Sequence, residues 1–130
     1  MNGTPKVEPG RLSDWLLYEE DEIGRFSRDI VTVAINQTLK NGSVVGVNAA
    51  GEVMEYDNET ATTAGGAVAV GIMCEDVTTT SATKKSVMVA RHARIGTAAL
   101  VWKTGLVTQD KTDAMADLAA RFIVPVPAEF

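Results

Sequence analysis

The chain has 130 residues and a net charge of −5, from twelve Lys and Arg against seventeen Asp and Glu, with one Cys and one His. That length supports one hydrophobic core burying about two thirds of the unfolded surface, with a short segment to spare. The acidic balance gives no broad positive field for phosphate, no stretch nears the roughly 20 continuous apolar residues of a membrane span, and the N-terminus lacks the apolar centre of a secretory signal; neither nucleic acid nor membrane is an expected partner, and a soluble, cytoplasmically made product is expected.

Hydrophobic residues make up 45% of the chain but aromatics only 5%, so the core must be assembled from Val, Ala, Ile and Leu. Small side chains give little buried area per ordered residue, and a domain built this way commonly gains stability by burying further surface between subunits.

In chain order, Asn2, Gly3, Pro5, Pro9 and Gly10 come first, a composition that resists regular structure. LSDWLLYEEDE follows, Leu12 to Glu22, setting Trp15, Leu16, Leu17 and Tyr18 beside the acids Glu19, Glu20, Asp21 and Glu22. Surrounded by polar sequence, these side chains read as a docking arm over residues 1–28, with several hundred Å² of apolar surface for a partner. On that reading Trp15→Ala costs binding and almost no stability. The alternative is that Trp15 packs onto its own domain. The acidic run is a solvated face, or else meets a basic groove on the partner and supplies steering and register.

The folded body is expected over residues 29–130. DIVTVAI, Asp29 to Ile35, is rich in β-branched residues and reads as a strand. Asn41-Gly42 supplies a tight turn, SVVGVN a second strand, Ala50-Gly51 another turn and EVMEY a third strand, which is hairpin grammar. DNETATTAGG, residues 57–66, is a surface loop.

AVAVGIMCEDV is nearly continuous apolar sequence with Gly71 inside it, as expected of a strand covered on both faces or closely approached by another backbone, and it is the best core candidate. Cys74 within it reads as a buried thiol. TTTSATKK is a second exposed loop, and SVMVARHARIG and TAALVW continue the β pattern, with Val87, Val89 and His92 placed by alternation. From Lys111 to Arg121 the period changes: Ala114, Met115, Leu118, Ala119 and Phe122 recur at spacings of three and four, predicting one amphipathic helix with Thr108 or Asp110 as its cap. Pro125 and Pro127 then confine FIVPVP to an edge or terminal strand. The fold class is therefore mainly β with one or two short helices, a small sandwich- or barrel-like body carrying a flexible N-terminal arm.

Catalytic and metal signatures are scarce. His92 in ARHAR has Glu75 and Asp76 as conceivable partners, yet one His on a strand is ordinarily a structural residue. With no second His, no Cys pair and no calcium-type carboxylate loop, no metal or cofactor is expected. Nucleophile elbows, phosphate loops and dinucleotide fingerprints are missing too, so no catalytic residue is assigned. Arg91, Arg94 and Lys103 lie close in sequence, but alternation sends Arg91 and Arg94 to opposite faces of a regular strand.

The order of the blocks SDWLLYE, SRDIVTVAINQTLKNGSVVGVN, GGAVAVGIMCEDV and SVMVARHARIGTAALVW, from about Ser13 to Val126, resembles the head decoration proteins of tailed phages, the family typified by the lambda capsid-stabilising protein. The resemblance implies a homotrimer on the outer surface of the expanded head, seated at three-fold sites and clamping the major capsid protein against internal DNA pressure. It also implies an N-terminal segment that orders on the shell by pairing its backbone with a coat segment, with Leu12, Trp15, Leu16, Leu17, Tyr18 and Glu19 as capsid contacts by position. The longer acidic stretch and the Ala-rich C-terminal helix depart from the lambda type. Two rival readings stand beside it: a β-rich carbohydrate- or protein-binding module that stacks ligands on Trp15, Tyr18 and Trp102, and a small hydrolase built around His92.

Overall fold

Six consecutive residue pairs tie the β-branched segment Arg28–Val33 (β2) antiparallel to Lys84–Val89 (β8), from Arg28 opposite Val89 to Val33 opposite Lys84. This ladder is one wall of a closed barrel. The computed structural model describes residues 15–19, 27–57 and 68–125, with residues 17–19 described by backbone alone. Val44–Val47 (β4) and Val53–Glu55 (β5) form the expected hairpin, its turn fastened by Asn48 Oδ1, which accepts from the N–H groups of Ala50 and Glu52 at 2.9 Å each. Gly51 sits there at φ 82°, a left-handed conformation that favours glycine. Gly71–Met73 (β6) bridges β4 and β8, and β2 closes against β5 through the parallel pair Val33 and Val53, giving the order β2-β5-β4-β6-β8.

A second layer covers one side of the barrel. Ala93–Ile95 (β9) is the centre of a three-stranded sheet, antiparallel to Leu16–Glu19 (β1) and parallel to Ile123–Pro125 (β10). The helix Thr108–Ala119 (α1) completes that layer, turning Ala114 and Leu118 inward. Tyr56 Oη donates to the Asp110 carbonyl at 3.1 Å, and the Ala69 N–H donates to Asp117 Oδ2 at 3.0 Å, fastening the helix to the barrel.

Two cores result. Val33, Leu39, Val45, Val53, Met73 and Met88 pack in one cluster, while Val44, Ile72 and Val89 pack in another with Trp15, Ile95, Leu118 and Ile123. Neighbouring residues of β4, β6 and β8 thus belong to different cores, which explains why AVGIM, residues 69–73, is continuously apolar: both faces are covered. A Cβ at Gly71 would lie 2.6 Å from the Val89 carbonyl and 2.7 Å from Met88 Sδ, so the close backbone approach expected there is real.

Other expectations need correction. Thr38–Leu39 (β3) and Val77–Thr78 (β7) form a two-residue pairing with no sequence signal. It takes up the start of the predicted loop TTTSATKK, where Thr79 is buried with its hydroxyl donating to the Ala34 carbonyl and accepting from the Gln37 N–H, and the loop's two lysines begin β8. TAALVW is not a strand: Thr97–Ala99 is a single 3-10 turn, followed by a bridge between Ser43 and Val101. Helix α1 starts three residues earlier than predicted, with Thr108 already helical, Asp110 in its first turn and Val107 at the cap position without a side-chain hydrogen bond. Phe122 leaves the helical face altogether, at φ 64° and 64% exposed. Cys74 is half-buried rather than buried. Strand β10, closing in Pro125, is an edge strand as expected.

Candidate functional site

The predicted docking residues divide into distinct groups. Trp15 is not presented to solvent: it is 1% exposed, in the core between the barrel and the covering sheet. Its indole Nε1–H donates to Asn41 Oδ1 at 2.7 Å, satisfying the one polar group that burial of a Trp must provide for. Its carbonyl accepts from the Gly96 N–H at 2.7 Å. Leu16 is half-buried and packs against the same core. The backbone of β1 then pairs with β9, Tyr18 opposite Arg94 and Glu19 opposite Ala93. Leu12 and the acids Glu20, Asp21 and Glu22 lie outside the described residues.

The boundary drawn after residue 28 is therefore corrected. Residues 15–19 belong to the body, and so do Ser27, whose carbonyl accepts from the Ala90 N–H at 2.8 Å, and Arg28, which starts β2. The exposed Trp15 expected from sequence fails for a physical reason: the acids beside it mask a strand whose apolar partners, Ile95, Leu100 and Ile123, come from the far end of the chain. What remains of the arm reading is residues 1–14 and the strand that follows. In the covering sheet β1 lies at one edge, with β9 on one side and no further strand among the described residues on the other.

The remaining candidates disperse. His92 is not on a strand. It occupies a left-handed corner at φ 55°, its ring stacked on Phe122 with centroids 5.3 Å apart and planes 13° apart. Glu75 accepts from the Ser86 hydroxyl at 2.7 Å and Asp76 from the Asn41 N–H at 2.7 Å, so both carboxylates considered for His92 are engaged elsewhere. Arg91 pairs with Asp29 at 2.6 Å and Lys103 approaches Asp57 at 3.9 Å, while Arg94 is exposed on β9, which separates the three cations. Glu55, near Lys103 and Asp57, has its carboxyl pushed above the usual range, chiefly by burial and partly by Asp57, with Lys103 opposing. Trp102 is half-buried beneath the Lys111 ammonium, 5.9 Å from the ring centroid. With Trp15 inside the core, the stacking platform of the carbohydrate-binding reading is not assembled. Among the described residues, no three His, Cys, Asp or Glu side chains gather to hold a metal, and no helix is long and apolar enough to cross a membrane.

Comparison with known proteins decides among these readings. The family described as bacteriophage lambda head decoration protein D matches residues 5–123, nearly the whole chain. The chain belongs to this family. It is thus a phage head decoration protein, a structural component of the virion capsid whose partner is the capsid itself. No curated protein sequence matches it. The matched stretch takes in both layers of the fold, from before β1 into β10, so the decoration family is the frame for the two-layer body and for the segment preceding Trp15.

Proposed function

We propose that this decoration protein acts as a homotrimeric cement on the outer surface of the expanded head, at three-fold sites, where it clamps the major capsid protein and resists internal DNA pressure. It docks through its N-terminal segment: residues 1–14, with Leu12 as their apolar anchor, continue into Leu17, Tyr18 and Glu19, and the outer edge of β1 offers backbone N–H and C=O groups to a coat strand. The observation that carries this reading is the edge position of β1, directly after the segment, in a chain of the decoration family. Pairing on a strand edge derives affinity from the main chain, and side-chain contacts set specificity.

Trimerisation suits the composition. Ile30 is 77% exposed in the middle of the β2–β8 ladder, opposite the half-buried Val87, an apolar contact available to a second and third copy. Three linked arms raise one another's local concentration, so weak single contacts gain about 10²- to 10⁴-fold in avidity. A ligand that binds only the expanded lattice stabilises that lattice by mass action.

The test is co-sedimentation with expanded, undecorated shells. A full-length chain whose residues 2–12 are replaced by Gly and Ser is expected to keep its thermal melt and its trimer mass by light scattering but to bind the shells at reduced affinity and stoichiometry. Retention at undiminished stoichiometry would refute the arm.

A further inference from the structure

The turn after β3 carries no function in the sequence reading, yet the structure ties the root of the N-terminal segment to it. Asn41 Oδ1 accepts from the Trp15 indole at 2.7 Å, and the Asn41 N–H donates to Asp76 Oδ1, also at 2.7 Å. The turn is itself rigidly held: the Lys40 N–H donates to the Ser43 hydroxyl at 2.8 Å, the Gly42 N–H to the Met73 carbonyl at 2.9 Å, and the Val101 N–H to the Gly42 carbonyl at 2.9 Å. Gly42 adopts φ 99°, and a Cβ there would lie 3.1 Å from the Ala99 carbonyl and 3.3 Å from Trp15 Cδ1, so the indole rests directly on the turn. Asp76 is exposed between β6 and β7. A chain of two hydrogen bonds thus runs from a surface carboxylate, through a fixed turn, to the residue from which residues 1–14 depart.

We propose that the Asp76–Asn41–Trp15 relay is a positioning device for capsid docking, with Asn41 as its central positioning residue; the proposal rests on the arm reading above. Fourteen residues span at most about 50 Å, so the place where they begin decides which coat subunit they reach. Loosening Trp15 would unfix that starting point, since the Trp15–Asn41 hydrogen bond and the β1–β9 pairing hold it to the body. A buried indole N–H left without its acceptor carries a desolvation penalty, which is what would loosen the root.

The experiment measures affinity for expanded, undecorated shells with four full-length chains: the unmodified protein, Asn41→Ala, the Gly/Ser replacement of residues 2–12, and the two combined. Asn41→Ala is expected to weaken binding by about 2- to 5-fold, with a cooperative melt retained and faster amide exchange at residues 16–19. Asn41→Asp, which keeps the acceptor oxygen, restores binding, and Asp76→Ala shifts affinity in the same direction as Asn41→Ala. In the Gly/Ser background Asn41→Ala adds nothing. An equal loss in both backgrounds would show that Asn41 acts through the body and would overturn the relay, as would unchanged affinity despite faster exchange at residues 16–19. Undiminished binding by the Gly/Ser chain alone would instead overturn the arm reading itself.

Discussion

Trp15 shows how one side chain changes role when its environment is known. Its neighbours Asp14, Glu19 and Glu20 make it read as exposed, whereas its indole rests on the Gly42 turn and belongs to one core cluster with Ile95 and Ile123. Trp15→Ala is therefore expected to cost about 3–5 kcal/mol and to lower the melting temperature by about 10–20 °C, against the negligible change implied by an exposed ring. A scanning calorimetry trace displaced by less than about 2 °C would show that the ring is not a core residue. Glu55 carries a second residue-scale consequence. Burial raises its carboxyl above the ordinary value of 4.5, so the folded protein holds that proton more tightly than the unfolded chain does. Its cost to folding is absent below the unfolded value, grows as pH rises through the raised one, and is full above it. Glu55→Gln is expected to raise the melting temperature slightly at pH 7 and to leave it unchanged near pH 3.5. A benefit that instead grew on acidification would contradict the assignment.

At the scale of elements, most of the barrel was legible because its signals are local. The β-branched run of β2, the Gly51 turn between β4 and β5, and the unbroken apolar run around Gly71 each announce themselves within a few residues. What escaped is set by distant partners. The short β3–β7 pairing depends on a buried Thr79 hydroxyl 45 residues from the Ala34 carbonyl it reaches, and the rank of β1 as a strand depends on β9. Phe122 fits the helical period of α1, but the chain turns left-handed there to bring β10 alongside β9, which strips it from the helix face. Gly71 is the element-scale test of the two-core arrangement. Gly71→Ala drives a methyl into the Val89 carbonyl, and because β6 separates the two cores the strain cannot relax toward either side. A loss of about 2–4 kcal/mol in urea unfolding is expected; a neutral substitution would show that β6 and β8 are not so closely apposed.

For the molecule as a whole, the two-layer body is the base from which, on the proposed reading, the segment before Trp15 docks. The order of sequence blocks identified the family because that order is spread over both layers, whereas the burial of Trp15 was not legible: a cluster of Trp, Leu and Tyr looks the same whether it seals a core or meets a partner. The corrected division places Trp15 and Leu16 in the body, and on the proposed reading contact falls to residues on either side of them. The account is tested most directly by imaging the decorated, expanded particle at a resolution that traces main chains. It predicts three copies about each three-fold axis, Trp15 enclosed within its own protomer against Asn41, and the chain before it running onto a coat-protein strand at the edge of β1. Coat density gripping another face of the barrel, with residues 1–14 clear of the shell, would contradict it.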